Sequence, residues 1–210
     1  MKLLLVCDDY WHPGRVVREG LELLQKDGFE LTVIENGSEV SPEKMKEFPV
    51  IIFSKSNNEN AQNREKWLTP ELQRAFVGYV EEGGGLLVTH SGTAGYRDEA
   101  VFTDLIGCSF ITHPEQCPVT VIPLKKHPIT AGAESFTEKD EHYFIDVTAE
   151  DADIFMATYS QHSAQAGGYT RSRGKGRVCV LTPGHNGEVW KNSEYQKILK
   201  NAILWCGRRL

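Results

Sequence analysis

Gly83-Gly84-Gly85-Leu86-Leu87-Val88-Thr89-His90-Ser91-Gly92 is the stretch that decides the fold. The glycines end a helix, because glycine takes a positive φ without a Cβ penalty. Leu86 to Thr89 is too short and too apolar for anything but a central strand covered on both faces. Gly92 lets the chain swing from strand into the next helix. A side chain held at that turn sits at the carboxyl edge of the sheet, where open α/β folds place their ligands. Nucleophile-elbow enzymes carry Ser or Cys at this point, whereas this chain carries His90.

Working outward, the preceding segments alternate. Lys2 to Cys7 reads as a strand, Arg15 to Lys26 as a helix with apolar residues at helical spacing, and Phe29 to Ile34 as a strand. Pro42 to Glu47 is a short helix, Val50 to Phe53 a third strand, and Ser54 to Lys66 a polar loop. Thr69-Pro70-Glu71 opens a helix with an N-cap threonine and proline at the first helical position. Strand and helix in alternation predict a doubly wound, mostly parallel, flavodoxin-like α/β sheet with helices on both faces.

Asp98 to Ile106 is a further helix, closed by Gly107. From about 110 to 170 the texture changes. Prolines 114, 118, 123 and 128 punctuate short β-type runs at Val119–Val121, Tyr143–Val147 and Ile154–Ala157. This predicts a small antiparallel insertion packed on or beside the sheet. Val178 to Leu181 returns to the main sheet, and Ser193 to Cys206 is the closing helix. Residues 1–210 are expected to form a single domain.

The bulk numbers exclude several classes. Formal net charge is -6 and no run of Lys or Arg stands out, so nucleic acid is not an expected partner. The densest basic group, Arg171, Arg173, Lys175 and Arg177, reads as a turn cap. Met1 to Val6 is too short an apolar run for a signal peptide or a membrane span. Five scattered cysteines without a CxxC pair indicate reduced thiols and a cytoplasmic protein.

In a parallel sheet the loops that follow the strands share one edge. Those loops carry Asp8, Asp9, Tyr10, Trp11 and His12, then Ser54 and Asn57, then His90 and Ser91, and finally His185 and Asn186. Three histidines from distant loops are therefore expected to converge. Each also has a plainer account: His90 as a helix cap, His12 in a rigid Trp-His-Pro turn, His185 bonding backbone. Asp140 and Glu141 are adjacent in an extended segment, so at most one of them faces the cleft. Trp190 is either a stacking face for a sugar or packing.

Familiar chemistries on such a sheet fail. A glutaminase needs Cys at the elbow, and Ser91 lacks the preceding glycine of a GxSxG motif. A phosphate loop after the first strand meets Asp8 and Asp9, which repel phosphate.

The chain resembles the ThuA-like proteins, named for a trehalose-utilisation protein and classed with the class I glutamine amidotransferase-like fold. The resemblance spans nearly the whole length. It rests on the His12 loop, Gly83–Ser91, Thr112-His113-Pro114, His127-Pro128-Ile129-Thr130-Ala131-Gly132, Thr137–Tyr143, Gly174-Lys175-Gly176-Arg177-Val178 and Thr182-Pro183-Gly184-His185. It implies an amidotransferase-like core without the glutaminase cysteine, and work on trehalose or a keto-disaccharide beside a sugar oxidoreductase. It places functional weight on His12, His90, His113, Asp140, Glu141 and His185. One departure stands out. Many relatives carry His-Pro-Ile/Val-x-Trp before the final strand, where this chain has Ala166-Gly167-Gly168-Tyr169-Thr170, with His162 the neighbouring histidine.

Three readings follow. In the first, an enzyme acts on a sugar derivative as a lyase, isomerase or hydrolase, with His90 and His185 as base and acid and Glu141 as partner. Asp9, Trp11, Asn57, Ser91, Tyr143 and Trp190 would contact the substrate. In the second, a non-catalytic sugar-binding or accessory subunit serves a sugar dehydrogenase. In the third, a divalent metal (zinc, nickel or iron) sits on His12, His90 and His185 with a carboxylate. No HxH or HxxxH spacing marks such a site, and no other cofactor is expected. A homo-oligomer is compatible with all three.

Overall fold

The computed structural model describes residues 1–210. In chain order the strands are β1 (Lys2–Cys7), β2 (Glu30–Ile34), β3 (Val50–Ser54), β4 (Gly85–Thr89), β5 (Cys108–Thr112), β6 (Cys117–Pro123), β7 (Phe136–Asp140), β8 (Phe144–Val147), β9 (Asp153–Tyr159), β10 (Ala164–Arg173) and β11 (Gly176–Leu181). The helices are α1 (Gly14–Glu22), α2 (Pro42–Lys46), α3 (Pro70–Glu81), α4 (Ala100–Ile106), α5 (Gly187–Lys191) and α6 (Ser193–Cys206).

One nine-stranded sheet runs in the order β2-β1-β3-β4-β11-β10-β9-β6-β7. The segment β2 to β11 is parallel. The central strands are apolar on both sides because helices cover both faces. Leu3, Leu5, Val50, Ile52, Leu87 and Cys179 pack toward α1 and α6. Leu4, Val6, Ile51, Phe53, Val88 and Val180 pack toward α3 and α4. Each such side chain contributes on the order of 1.5–3 kcal/mol on burial. The strand order reverses between β1 and β3, which opens the crevice in which doubly wound folds hold ligands.

The helix start at Thr69 forms as its residues dictate. The Thr69 side chain accepts from the Leu72 main-chain N–H, and Pro70 stands in the first turn. At the other end of α3, Gly83 takes φ +123°. Gly92 is required for space: a Cβ there would stand 2.3 Å from the Phe53 carbonyl oxygen.

The 110–170 segment contains the expected small antiparallel sheet and also extends the main sheet. Only β5 and β8 form a separate two-stranded sheet. The rest joins the main sheet as four antiparallel strands. The reason lies in β10, which pairs with β9 over Ala164 to Thr170 and with β11, through the turn at Gly174 and Lys175, over Gly168 to Arg173. Its Gly167-Gly168 bulge breaks the alternation that would have marked it as a strand. The basic group belongs to this hairpin. Arg171 binds Asp151 and the Asp104 carbonyl, Arg173 binds Asp104, and Arg177 donates to the Trp205 and Leu210 carbonyls.

Candidate active site

His90 ends β4 in a left-handed conformation, φ 40°, and opens a 3-10 turn rather than an α-helix. A non-glycine residue held there stores roughly 1–3 kcal/mol, which the surroundings must impose. Its ring Nδ1 lies 2.8 Å from the Thr182 carbonyl oxygen at the end of β11. Nδ1 therefore carries the proton, and Nε2 offers a lone pair to the crevice. Burial lowers the pKa of this imidazole, so it is neutral. Nε2 is buried and has no hydrogen-bond partner.

His12 comes from the loop after β1. Asp9 is buried beneath it and accepts from its ring Nδ1 at 2.8 Å. The same carboxylate accepts from the main-chain N–H groups of Trp11 at 2.9 Å and Ser56 at 2.8 Å. Asp9 thus orients a histidine and pins the loops after β1 and β3 together, and it does not face the cavity. Burial disfavours charge on His12, but the Asp9 and Glu141 carboxylates outweigh it and raise its pKa to about 9. Asp9 is correspondingly held below the usual carboxylate range, against its own burial, by His12.

Asp140 and Glu141 lie at the end of β7 and point opposite ways. Asp140 is buried and accepts from the main-chain N–H groups of Gly184 (2.8 Å), His185 (2.8 Å) and Asn186 (3.2 Å). It builds the loop that carries His185. Burial raises its pKa, with His90 and these N–H groups opposing. Glu141 faces the crevice. Its Oε2 lies 3.1 Å from His185 Nδ1, 3.5 Å from His90 Nε2, 3.6 Å from His113 Nε2 and 3.9 Å from His12 Nε2. Burial works against its charge, but the surrounding imidazoles of His12, His185 and His90 hold it far below the usual carboxylate range. His185 Nδ1 approaches Glu141 closely yet off the hydrogen-bond axis, and so counts among the buried atoms left without a partner.

Tyr143 completes the floor. Its ring stacks on His90 with centroids 3.8 Å apart, and its hydroxyl lies 3.1 Å from His12 Nε2. Burial and the Glu141 charge raise its pKa well above the ordinary phenol value, so it keeps its proton. A cavity of about 650 Å³ opens above this group. His113 reaches it from the end of β5 with its side chain 37% exposed, a path between the carboxylate and solvent.

The remaining expected contacts are placed differently. Trp11 lines the mouth and is exposed. Asn57 lines the wall, but its amide is committed: Oδ1 accepts from the Trp67 and Leu68 N–H groups and Nδ2 donates to Glu99. Ser91 is buried and does not line the cavity. Trp190 is a correction. It is fully buried in the core under α1, and its indole N–H donates to the Gly184 carbonyl at 2.7 Å. The one-turn helix α5 turns that face inward, so the ring supports the His185 loop from below. His162 is exposed and does not line the cavity. Reading the residues in order missed Arg64, Lys66 and Phe110, which also line it. No periodicity or motif marks a cation on a polar loop as a wall of a distant cleft.

The ThuA family, described as trehalose utilisation, matches residues 11–206. A ThuA-like protein from Bacteroides uniformis ATCC 8492 superposes with a TM-score of 0.78 at 21% identity, covering 98% of this chain and 91% of that one. One from Parabacteroides merdae ATCC 43184 gives 0.80 at 17% identity, covering 99% and 90%. A protein from Salmonella typhimurium LT2 described as cytoplasmic gives 0.72 at 15% identity, covering 98% and 99%. No curated protein matches the sequence. No helix of the chain is long and apolar enough to cross a membrane. With 11–206 matched by one family and the same fold in its ThuA-like neighbours, the chain belongs to the ThuA family.

Proposed function

We propose that this chain is a divalent-metal-dependent enzyme acting on a sugar derivative, with His12, His90, His185 and Glu141 as the residues that hold the ion. One observation carries the reading: the ligand atoms of these four side chains all lie within 4.8 Å of one another. Neighbouring ligands around a tetrahedral ion with bonds of about 2.1 Å are roughly 3.4 Å apart. The separations from Glu141 of 3.1, 3.5 and 3.9 Å bracket that value.

The chemistry of the set fits. His90 Nε2 and His185 Nδ1 are buried and unpartnered, a costly state that an ion relieves. Two of the histidines use their other ring nitrogen on a second group, Asp9 for His12 and the Thr182 carbonyl for His90. Such outer partners set the tautomer and orientation of metal-binding histidines. Nitrogen ligands with a single carboxylate suit zinc, nickel or iron.

When bound, such an ion supplies Lewis acidity toward a carbonyl or hydroxyl oxygen. The chain's own groups do the rest. Trp11 offers an apolar face to a sugar ring at the mouth. Tyr143, neutral and fixed by stacking on His90, donates a hydrogen bond from the floor. His113 is not among the four and stands 3.6 Å from Glu141 with access to solvent, which suits it to carry a proton out of the cavity. The reaction class is a lyase, isomerase or hydrolase step on a keto-sugar or disaccharide, with a sugar dehydrogenase as the source of the keto-sugar. Five free buried thiols and the cytoplasmic Salmonella relative support a cytoplasmic setting. Glutamine hydrolysis has no nucleophile at the elbow.

The test is elemental analysis of protein prepared without chelator, beside His90→Ala and Glu141→Gln. Near one equivalent of metal is expected in the wild type and little in either variant. A wild type that takes up no Zn²⁺, Ni²⁺ or Fe²⁺ on dialysis would sink the metal. Sugar binding without turnover would then favour the accessory-subunit reading.

A further inference from the structure

We propose that the substrate carries an anionic group, a carboxylate or a phosphate, gripped by Arg64 at the cavity mouth. The inference rests on the reading of the cavity as a sugar site and narrows the sugar to an acid or a phosphate ester.

Arg64 lies between β3 and α3 and lines the same cavity as His12, Glu141 and His185. Its guanidinium carbon stands 4.5 Å from the Tyr10 ring centre and 5.3 Å from that of Trp11. Those two rings pack edge to face with centroids 4.8 Å apart. With those rings 81° apart the guanidinium lies over Tyr10, the nearer of the two, and its planar set of N–H donors is the fork a carboxylate or phosphate accepts in bidentate fashion. No carboxylate of the chain lies within ion-pair distance of it. Lys66, the other cation of the wall, is taken by Glu99 at 3.0 Å and approached by Asp98 at 3.9 Å. Arg64 is therefore the cavity's free cation, and stacking restricts its motion beyond that of an ordinary surface arginine.

The nearby acids do not cancel it. Asp8 accepts from the main-chain N–H groups of Gly14 at 2.9 Å and Ala61 at 3.1 Å. Asp9 faces His12 and Ser56. The two carboxylates that spoil a phosphate loop after β1 are thus turned onto donors, and they fasten the loop that carries Arg64. Glu141 is ringed by four histidines. The chain as a whole has formal net charge -6, so attraction for an anion must be local.

The test is calorimetric titration of wild type, Arg64→Ala and Arg64→Lys with gluconate, glucuronate, glucose 6-phosphate, inorganic phosphate and neutral glucose. At least one sugar anion is expected to bind at millimolar concentration or below and about tenfold tighter than glucose. Arg64→Ala should abolish that preference and Arg64→Lys keep part of it, because lysine retains charge but not the fork. A preference confined to gluconate or glucuronate assigns a sugar acid, and one confined to glucose 6-phosphate a sugar phosphate. Equal affinity for charged and neutral sugars, no binding of any anion, or a preference unchanged in Arg64→Ala overturns the inference. Metal content read on the same samples separates the two readings. An Arg64-dependent preference in protein that holds no metal would sustain this inference and sink the metal centre.

Discussion

Asp9 meets His12 twice: its Oδ1 lies 2.8 Å from the ring Nδ1 and 3.1 Å from the main-chain nitrogen. The first contact assigns the proton to Nδ1 and leaves Nε2 for the cavity. The second holds the loop in the shape that aims the ring. Asp9→Asn keeps the shape but turns part of an acceptor into a donor against N–H groups. We expect metal affinity to fall about 10–100-fold and stability to fall by about 1–3 kcal/mol. Competitive chelator titration and urea denaturation measure the two. Unchanged metal affinity in Asp9→Asn would remove Asp9 from the site.

The metal-free protein should lose stability on the alkaline side. His12 has its pKa raised from 6.5 to about 9 in the folded state. A group raised on folding stabilises fully below its unfolded pKa, and that contribution is lost as pH climbs through the folded value. The window therefore runs from about 6.5 to about 9, with ~3 kcal/mol at most at stake. With metal bound the trend reverses below neutrality, because protons compete for the histidines. Melting curves from pH 6 to 10, with and without EDTA, decide it. A flat chelated profile would mean that His12 is not held by Asp9 in solution.

The two tryptophans near the site should separate cleanly. Trp190 is fully buried and bonded to Gly184, so Trp190→Ala should cost about 3–5 kcal/mol. Trp11 is 58% exposed. Trp11→Ala should stay within about 0.5 kcal/mol of wild type yet weaken sugar binding. Denaturation and binding measured on both variants suffice, and a destabilised Trp11→Ala would show that the mouth is structural.

Gly92→Ala tests the elbow. The added Cβ meets the Phe53 carbonyl oxygen, a backbone atom that cannot swing aside. The strands β3 and β4 must part or the His90 turn must shift. We expect a loss of more than about 2 kcal/mol and lower metal occupancy. A variant with wild-type stability and full occupancy would show that the turn has more room than its geometry allows.

Much of this was legible in the residues alone. The parallel half of the sheet follows from apolar strands, helix caps and breakers. These are signals carried by residues two to four apart, so chain order suffices to read them. Loops after parallel strands share an edge, so chain order alone brings His12, His90 and His185 to one place. Only the tertiary structure decided the rest. Glu141 reaches those histidines because β7 belongs to the antiparallel half of the sheet, where β6 pairs with β7 and with β9 over long stretches of intervening chain. The same pairing sets which way Asp140 and Glu141 point, while the adjacency of β1 and β3 brings Arg64 over Tyr10 and packing against α1 turns Trp190 into the core. A side chain's local pattern says which face it can occupy, and what stands opposite that face depends on strands elsewhere in the chain.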